Sequence, residues 1–156
     1  MLALGVDPGS RATGYGLVEK GDTGLVLVDA GCITSTARAP FYERLYHIYE
    51  SVKDVINRYH PDEMAIEDIF YAKNVRTSLR LGHVRGVILV AAVQYSIRIF
   101  EYTPLEIKKS VVGYGGATKE QVRSMVSIIL NTDRTFSLDT SDALATVICH
   151  MNWSRF

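Results

Sequence analysis

The chain enters at once on LALGV, residues 2–6, and breaks on Asp7-Pro8-Gly9-Ser10. Five residues without one polar side chain do not suit a half-solvated sheet, where apolar and polar positions alternate. They fit a central strand covered on both faces, with helices above and below the sheet. The strand then ends on a carboxylate. Either Asp7 caps a turn, which Asp-Pro-Gly-Ser chemistry favours, or it holds something hard and positive.

The rest of the pattern predicts a mixed sheet. GYGLV at 14–18 and residues 25–29 follow at short spacing around the turn material Lys20-Gly21-Asp22, an antiparallel meander of three strands. Pro40 opens an amphipathic helix with Phe41, Leu45, Ile48, Val52, Val55, Ile56 and Tyr59 on helical spacing, and Pro61 ends it. Met64-Ala65-Ile66 predicts a fourth strand that ends on Glu67-Asp68. A second helix is expected over 75–94, with Gly82 and Gly86 permitting close packing, then a fifth strand over 97–102 and a short helix over 105–112. Thr118 and Gln121 have capping-box spacing for a helix over 119–130. A last helix is expected over 139–151, its apolar stripe of Leu144, Val147, Ile148 and Met151 turned away from Asp139 and Asp142. Strands one and four become parallel neighbours in the middle, joined by a right-handed crossover. The expected class is α/β: three antiparallel strands, then two parallel, with helices on both faces.

At 156 residues and 47% hydrophobic content, one globular domain over 1–156 is expected. Cys32 and Cys149 are far apart, which predicts a reducing compartment with neither a disulfide framework nor a zinc site. The four histidines show no paired ligand spacing. The longest apolar run, 87–93, is far too short to span a bilayer, and no signal peptide precedes the first strand, so a cytoplasmic protein with no membrane association is expected. That run could belong to a subunit contact, with core as the default reading. Net charge is +0, but its distribution is uneven: between Asp68 and Glu101 there is no acid, while Lys73, Arg76, Arg80, Arg85 and Arg98 lie inside. Such a segment can bind phosphate chains. Lys73, Arg76 and Arg80 fall on one stripe at the start of the second helix, after Phe70 and Tyr71, which could stack on an unpaired base.

In open α/β sheets ligands gather beyond the carboxyl ends of the strands. Asp7 and Glu67 both sit at such an end and would repel each other unless a cation is shared. Asp139 and Asp142, three apart, share a helix face; in a first turn they also suit free N–H groups and the macrodipole. If that helix packs on the carboxyl edge, four carboxylates converge with no His or Cys among them. All-oxygen ligands select Mg²⁺ or Mn²⁺, and such a cluster suits two metals about 4 Å apart in an in-line phosphodiester displacement.

GVDPGSRATGYG at 5–16, AIEDIF at 65–70, AKN at 72–74, LGHVRGV at 81–87, FEYTPLEIKKSVVGYG at 100–115 and SDALA at 141–145 together resemble the RuvC family, in order and over nearly the whole chain. These are bacterial Holliday-junction resolvases with the ribonuclease H-like fold. The resemblance implies a Mg²⁺-dependent endonuclease that resolves four-way DNA junctions by paired symmetric nicks, leaving 5′-phosphate and 3′-hydroxyl ends at a short T-rich site. It implies that Asp7, Glu67, Asp139 and Asp142 are the metal-binding catalytic carboxylates, that Lys108 and Lys119 are active-site lysines, and that Phe70 stacks on a junction base. Tyr71, Lys73, Asn74, Arg76 and Arg80 complete the expected DNA face. It further implies a two-fold homodimer working with the RuvA–RuvB branch-migration machinery. Some relatives carry His at the fourth carboxylate position; Asp142 keeps this site all-oxygen. Residues 131–138 depart most from the family pattern.

Three other readings share parts of this pattern. An RNA-processing nuclease of the YqgF type shares the Asp-Pro-Gly opening, though AKN and LGHVRGV favour RuvC. A phosphotransferase of the actin and sugar-kinase class duplicates the domain, and 156 residues provide one copy. A non-catalytic junction-binding module is the third. A P-loop at 113–119 is rejected, because Thr118 and Glu120 replace required residues; its glycines either let Lys119 approach a phosphate or make a turn.

Overall fold

A computed structural model describes residues 1–68 and 74–153. Five strands, β1 (Leu2–Asp7), β2 (Ala12–Lys20), β3 (Leu25–Thr34), β4 (Glu63–Glu67) and β5 (Arg98–Tyr102), form one sheet in the order β3-β2-β1-β4-β5. The first three are antiparallel; β1–β4 and β4–β5 are parallel. Five helices accompany them: α1 (Phe41–Tyr59), α2 (Val75–Gln94), α3 (Pro104–Val112), α4 (Lys119–Ile129) and α5 (Leu138–Trp153). The expected mixed sheet is present, with β2 longer at both ends and β3 longer at its C-terminal end than the apolar runs alone indicated.

The sheet divides two cores. Leu4, Val6, Leu17, Met64 and Ile66 face Ile48, Val52 and Ile56 of α1 and Val84, Ile88 and Ala91 of α2. Ala3 and Val18 face the side carrying α3, α4 and α5. Side chains alternate along a strand, so Ala3, Gly5 and Asp7 share the α5 face of β1, and Glu63, Ala65 and Glu67 share it on β4. The β1–β4 register pairs Gly5 with Ala65 and Val6 with Ile66. Its continuation sets Asp7 beside Glu67.

The last helix differs from its expected form. Instead of one apolar stripe, every residue from Ala143 to Met151 is buried. It crosses the middle of the sheet, with α3 and α4 on its outer side. It can lie that close because the sheet is bare beneath it: a β-carbon on Gly5 would overlap the Ala143 carbonyl, and one on Gly14 would overlap the Asp139 carbonyl. The far end is fixed by polar contacts. His150 Nε2 lies 2.6 Å from a carboxylate oxygen of Glu63, and His150 Nδ1 lies 2.8 Å from the Tyr102 hydroxyl. Burial pushes the Tyr102 phenol up to about 12, so it stays an O–H donor. It donates to Nδ1, leaving Nε2–H to donate to Glu63.

Gly82 and Gly86 do not serve the close packing expected of them: among the described residues, nothing lies within 4 Å of a β-carbon at either. The apolar run 87–93 is split, with Ile88, Ala91 and Ala92 buried and Val90 and Val93 exposed. Both cysteines are free. Among the described residues no helix is long and apolar enough to cross a membrane.

Replacing Gly5 or Gly14 by Ala should cost at least about 1–3 kcal/mol through overpacking against backbone that cannot yield. Thermal unfolding of each variant measures this, and an unchanged melting temperature would contradict the seating of α5.

Candidate active site

The turn after β1 is closed by Thr13. Its hydroxyl donates to the Gly9 carbonyl at 2.8 Å and accepts the Gly9 N–H at 3.3 Å, so the turn's hydrogen bonds run through Thr13 rather than Asp7. Ser137 plays the same part at α5: its hydroxyl accepts the Thr140 N–H at 3.2 Å. Asp139 and Asp142 are thus not needed as caps, and both local alternatives to a site role lose their ground.

Four acids meet above the carboxyl ends of β1 and β4. Asp7 is the cross-strand partner of Gly14, on which the Asp139 backbone rests. One helical turn on, Asp142 lines a cleft of about 170 Å³ together with Glu67, Lys108 and Lys119. Burial, then the charges of Asp142, Glu67 and Asp139, push the Asp7 carboxyl up to about 8, against a partial opposing pull from Lys119. Glu67 is also raised, first by burial and then by Asp142, with Lys119 and Lys108 acting against the rise. Lys119 Nζ donates to Asp142 Oδ2 at 3.1 Å, and that bond holds its ammonium above the usual lysine range. A larger hollow of about 580 Å³ between the start of β3 and the end of α4 holds no carboxylate; the chemistry lies in the smaller cleft.

Among the described residues, no three of these side chains stand as a finished ligand cage. The acids share one electric field, not yet one coordination sphere. The donor set nevertheless fits a hard divalent cation. It offers only carboxylate oxygens, half-buried, and burial together with the neighbouring acids keeps Asp7 protonated near neutral pH.

The expected DNA face is only partly described. Phe70, Tyr71 and Lys73 lie outside the described residues. Asn74 caps α2, its side chain accepting the N–H groups of Arg76 and Thr77. Arg76 is exposed, and Arg80 stacks over Phe41 with its guanidinium carbon 5.0 Å from the ring centre. Arg98 pairs with Glu63 at the opposite end of β4, so it is a structural charge and not part of a phosphate-binding face. Arg85 is internal as well: it donates to the Glu67 backbone carbonyl at 2.7 Å and pairs with Glu101. In the turn after β1, buried Arg44 of α1 donates to the Ser10 carbonyl at 3.3 Å. The signal for Arg85 was a lone charge within the apolar face of a helix. Arg44 gave a similar one, among Ile48, Val52 and Ile56. Gly113 at φ 95 ends α3 in the left-handed conformation, so the turn reading of that glycine holds.

The raised Asp7 pKa has a measurable consequence. Between the unfolded value of 3.8 and about 8, the folded state keeps a proton that the unfolded chain has lost. Without divalent ions, stability should therefore fall as pH rises across that window. Asp7→Asn should remove much of this slope, raising the melting temperature in EDTA at pH 8 by about 2–4 °C per kcal/mol relieved and changing it little at pH 4. Melting curves of both proteins from pH 4 to 8 give the answer.

Comparison with known proteins agrees with this geometry. The profile of the family described as crossover junction endodeoxyribonuclease RuvC matches residues 3–150. The RuvC proteins of Geobacter sulfurreducens and Syntrophotalea carbinolica are 47% and 49% identical, over 97% and 96% of this chain and 93% of each relative. The structure of Thermus thermophilus RuvC in complex with a Holliday junction substrate superposes with a TM-score of 0.93 at 30% identity, covering 99% of this chain and 95% of that one. The yeast mitochondrial Holliday junction resolvase has a TM-score of 0.68 at 10% identity over 97% of this chain and 79% of its own, a likeness of fold alone. With a family match over residues 3–150 and near-half identity over nearly the whole chain, this chain belongs to the RuvC family of crossover junction endodeoxyribonucleases.

Proposed function

We propose that the chain resolves four-way DNA junctions in recombination and repair by metal-assisted phosphodiester hydrolysis. The observation that carries this reading is the electrostatics of the cleft: four acids from three distant parts of the chain, one of them pushed up to about 8. Asp7, Glu67, Asp139 and Asp142 would hold two Mg²⁺, with Mn²⁺ as a substitute. Bound there, the ions supply Lewis acidity at the phosphoryl group and acidify an attacking water. The remaining steps belong to the chain. Lys108, lining the cleft beside Glu67, offsets charge on the non-bridging phosphate oxygens. Lys119, paired with Asp142 at rest, can turn to the same phosphate. Water forms the new P–O bond, the P–O3′ bond breaks, and the 3′ oxygen takes up a proton, leaving 5′-phosphate and 3′-hydroxyl ends.

Paired nicks require two sites. An exposed stripe along α2 supports a two-fold homodimer. Val75, Leu79, Val90 and Val93 are 74%, 60%, 54% and 65% exposed, and the open Gly82 and Gly86 lie between them on the same side of the helix. Contiguous exposed apolar surface marks an interface, and glycines in its middle let a second α2 approach. Family membership supports work in the cytoplasm alongside RuvA–RuvB, and base stacking by Phe70.

Incubating the protein with a synthetic four-way junction, in Mg²⁺ and in EDTA, tests the reading directly. Asp7→Asn should lower cleavage by about 10³-fold or more while junction binding persists; equal activity would remove Asp7 from the site. Leu79→Glu, at an exposed position, should give a folded monomer by sedimentation that no longer makes paired nicks. A Leu79→Glu variant that remains dimeric would refute the α2 seam.

A further inference from the structure

We infer that Arg85 is a positioning residue for Glu67, making the ion-binding geometry of the cleft depend on where α2 lies. This rests on the proposed role of Glu67 as a metal ligand. The Arg85 side chain is only 11% exposed and lies with the buried residues of α2, outside the exposed stripe of Val75, Leu79, Val90 and Val93. Its guanidinium grips the edge of the sheet at two points. Nη1 donates to the backbone carbonyl of Glu67 itself at 2.7 Å, and Nη2 pairs with the Glu101 carboxylate of β5. Asp68 Oδ1 stands 3.9 Å away.

The place of this contact matters as much as its strength. The β1–β4 ladder ends at Val6 and Ile66, so the Glu67 carbonyl lies just past the last pair on that side. On the β5 side the Asp68 N–H donates to the Tyr102 carbonyl at 2.7 Å. The β4–β5 ladder still pairs Glu67 with Tyr102, so Arg85 adds a hold on the β1 side of this peptide, where the β1–β4 ladder has ended. A planar guanidinium can hold a carbonyl and a carboxylate together in one plane; a lysine ammonium keeps the charge but not that fork. Groups that orient a ligating carboxylate matter to metal affinity without touching the ion. A shift of α2 would carry this side chain's hold on the Glu67 carbonyl with it.

The test is Mn²⁺ titration by calorimetry on wild type, Arg85→Lys and Glu101→Gln, with junction binding measured in EDTA and folding by circular dichroism. Arg85→Lys should weaken Mn²⁺ binding by about 10–100-fold and raise the Mn²⁺ needed for cleavage by a similar factor, with junction affinity in EDTA unchanged. Glu101→Gln changes an exposed carboxylate and leaves the Glu67 contact available, so it should give a smaller shift in the same direction. If Arg85→Lys does not fold, Glu101→Gln decides the matter. A folded variant with wild-type Mn²⁺ affinity overturns the assignment, as does reduced junction affinity with unchanged Mn²⁺ binding, which would make Arg85 a DNA contact. A wild type that takes up no divalent ion overturns the metal-site reading, and this assignment with it.

Discussion

The structure depends on a helix lying directly on bare backbone. Where β1 and β2 carry Gly5 and Gly14, the carbonyls of Ala143 and Asp139 occupy the space of missing side chains. With bulkier residues there, α5 would stand farther off the sheet, and its two acids would move away from Asp7 and Glu67. The usual cost of glycine in a strand, roughly 0.5–1 kcal/mol against Ala, is accepted here because no other residue permits that approach.

Bringing four acids together in a half-buried cleft works against folding. The resting protein answers in two ways: Asp7 keeps its proton to about pH 8, and Lys119 neutralises part of Asp142. Neither fully balances the site. The cleft is thus arranged for a positive guest, and the fold is held by two apolar cores elsewhere. The buried arginines hold backbone near the cleft: Arg44 donates to Ser10 in the turn after β1, and Arg85 to Glu67, the last residue of β4.

Much of this was legible in the sequence because it rests on local rules. The unbroken LALGV run identified the central strand. Helical periodicity and the flanking prolines placed α1, and capping-box spacing located the start of α4. What was not legible depends on which faces meet. The sequence of α5 shows an apolar stripe, but its other side is buried as well, because small residues such as Ala143 and Ala145 suit close packing as much as exposure. Gly82 and Gly86 were misread for the same reason: glycine permits contact within a chain and between chains alike, and among the described residues nothing approaches them. Arg85 and Arg98 counted as free positive charge until tertiary contacts gave them carboxylate partners. The four acids were recognisable as a set through their strand-end and helix-start positions together with the family pattern, since no single one departs from ordinary turn or capping chemistry.

The His150–Glu63 pair gives α5 a fixed axial zero. An apolar helix in an apolar groove can slide, since dispersion forces vary little along its length. A directional bond at one end cannot be shifted by a residue without breaking. From His150 back to Asp142 is eight residues, about 12 Å of helix at 1.5 Å each. The helix between them is a rigid gauge block, and the spacing of acids at the cleft is read off from a hydrogen bond at the opposite end of β4.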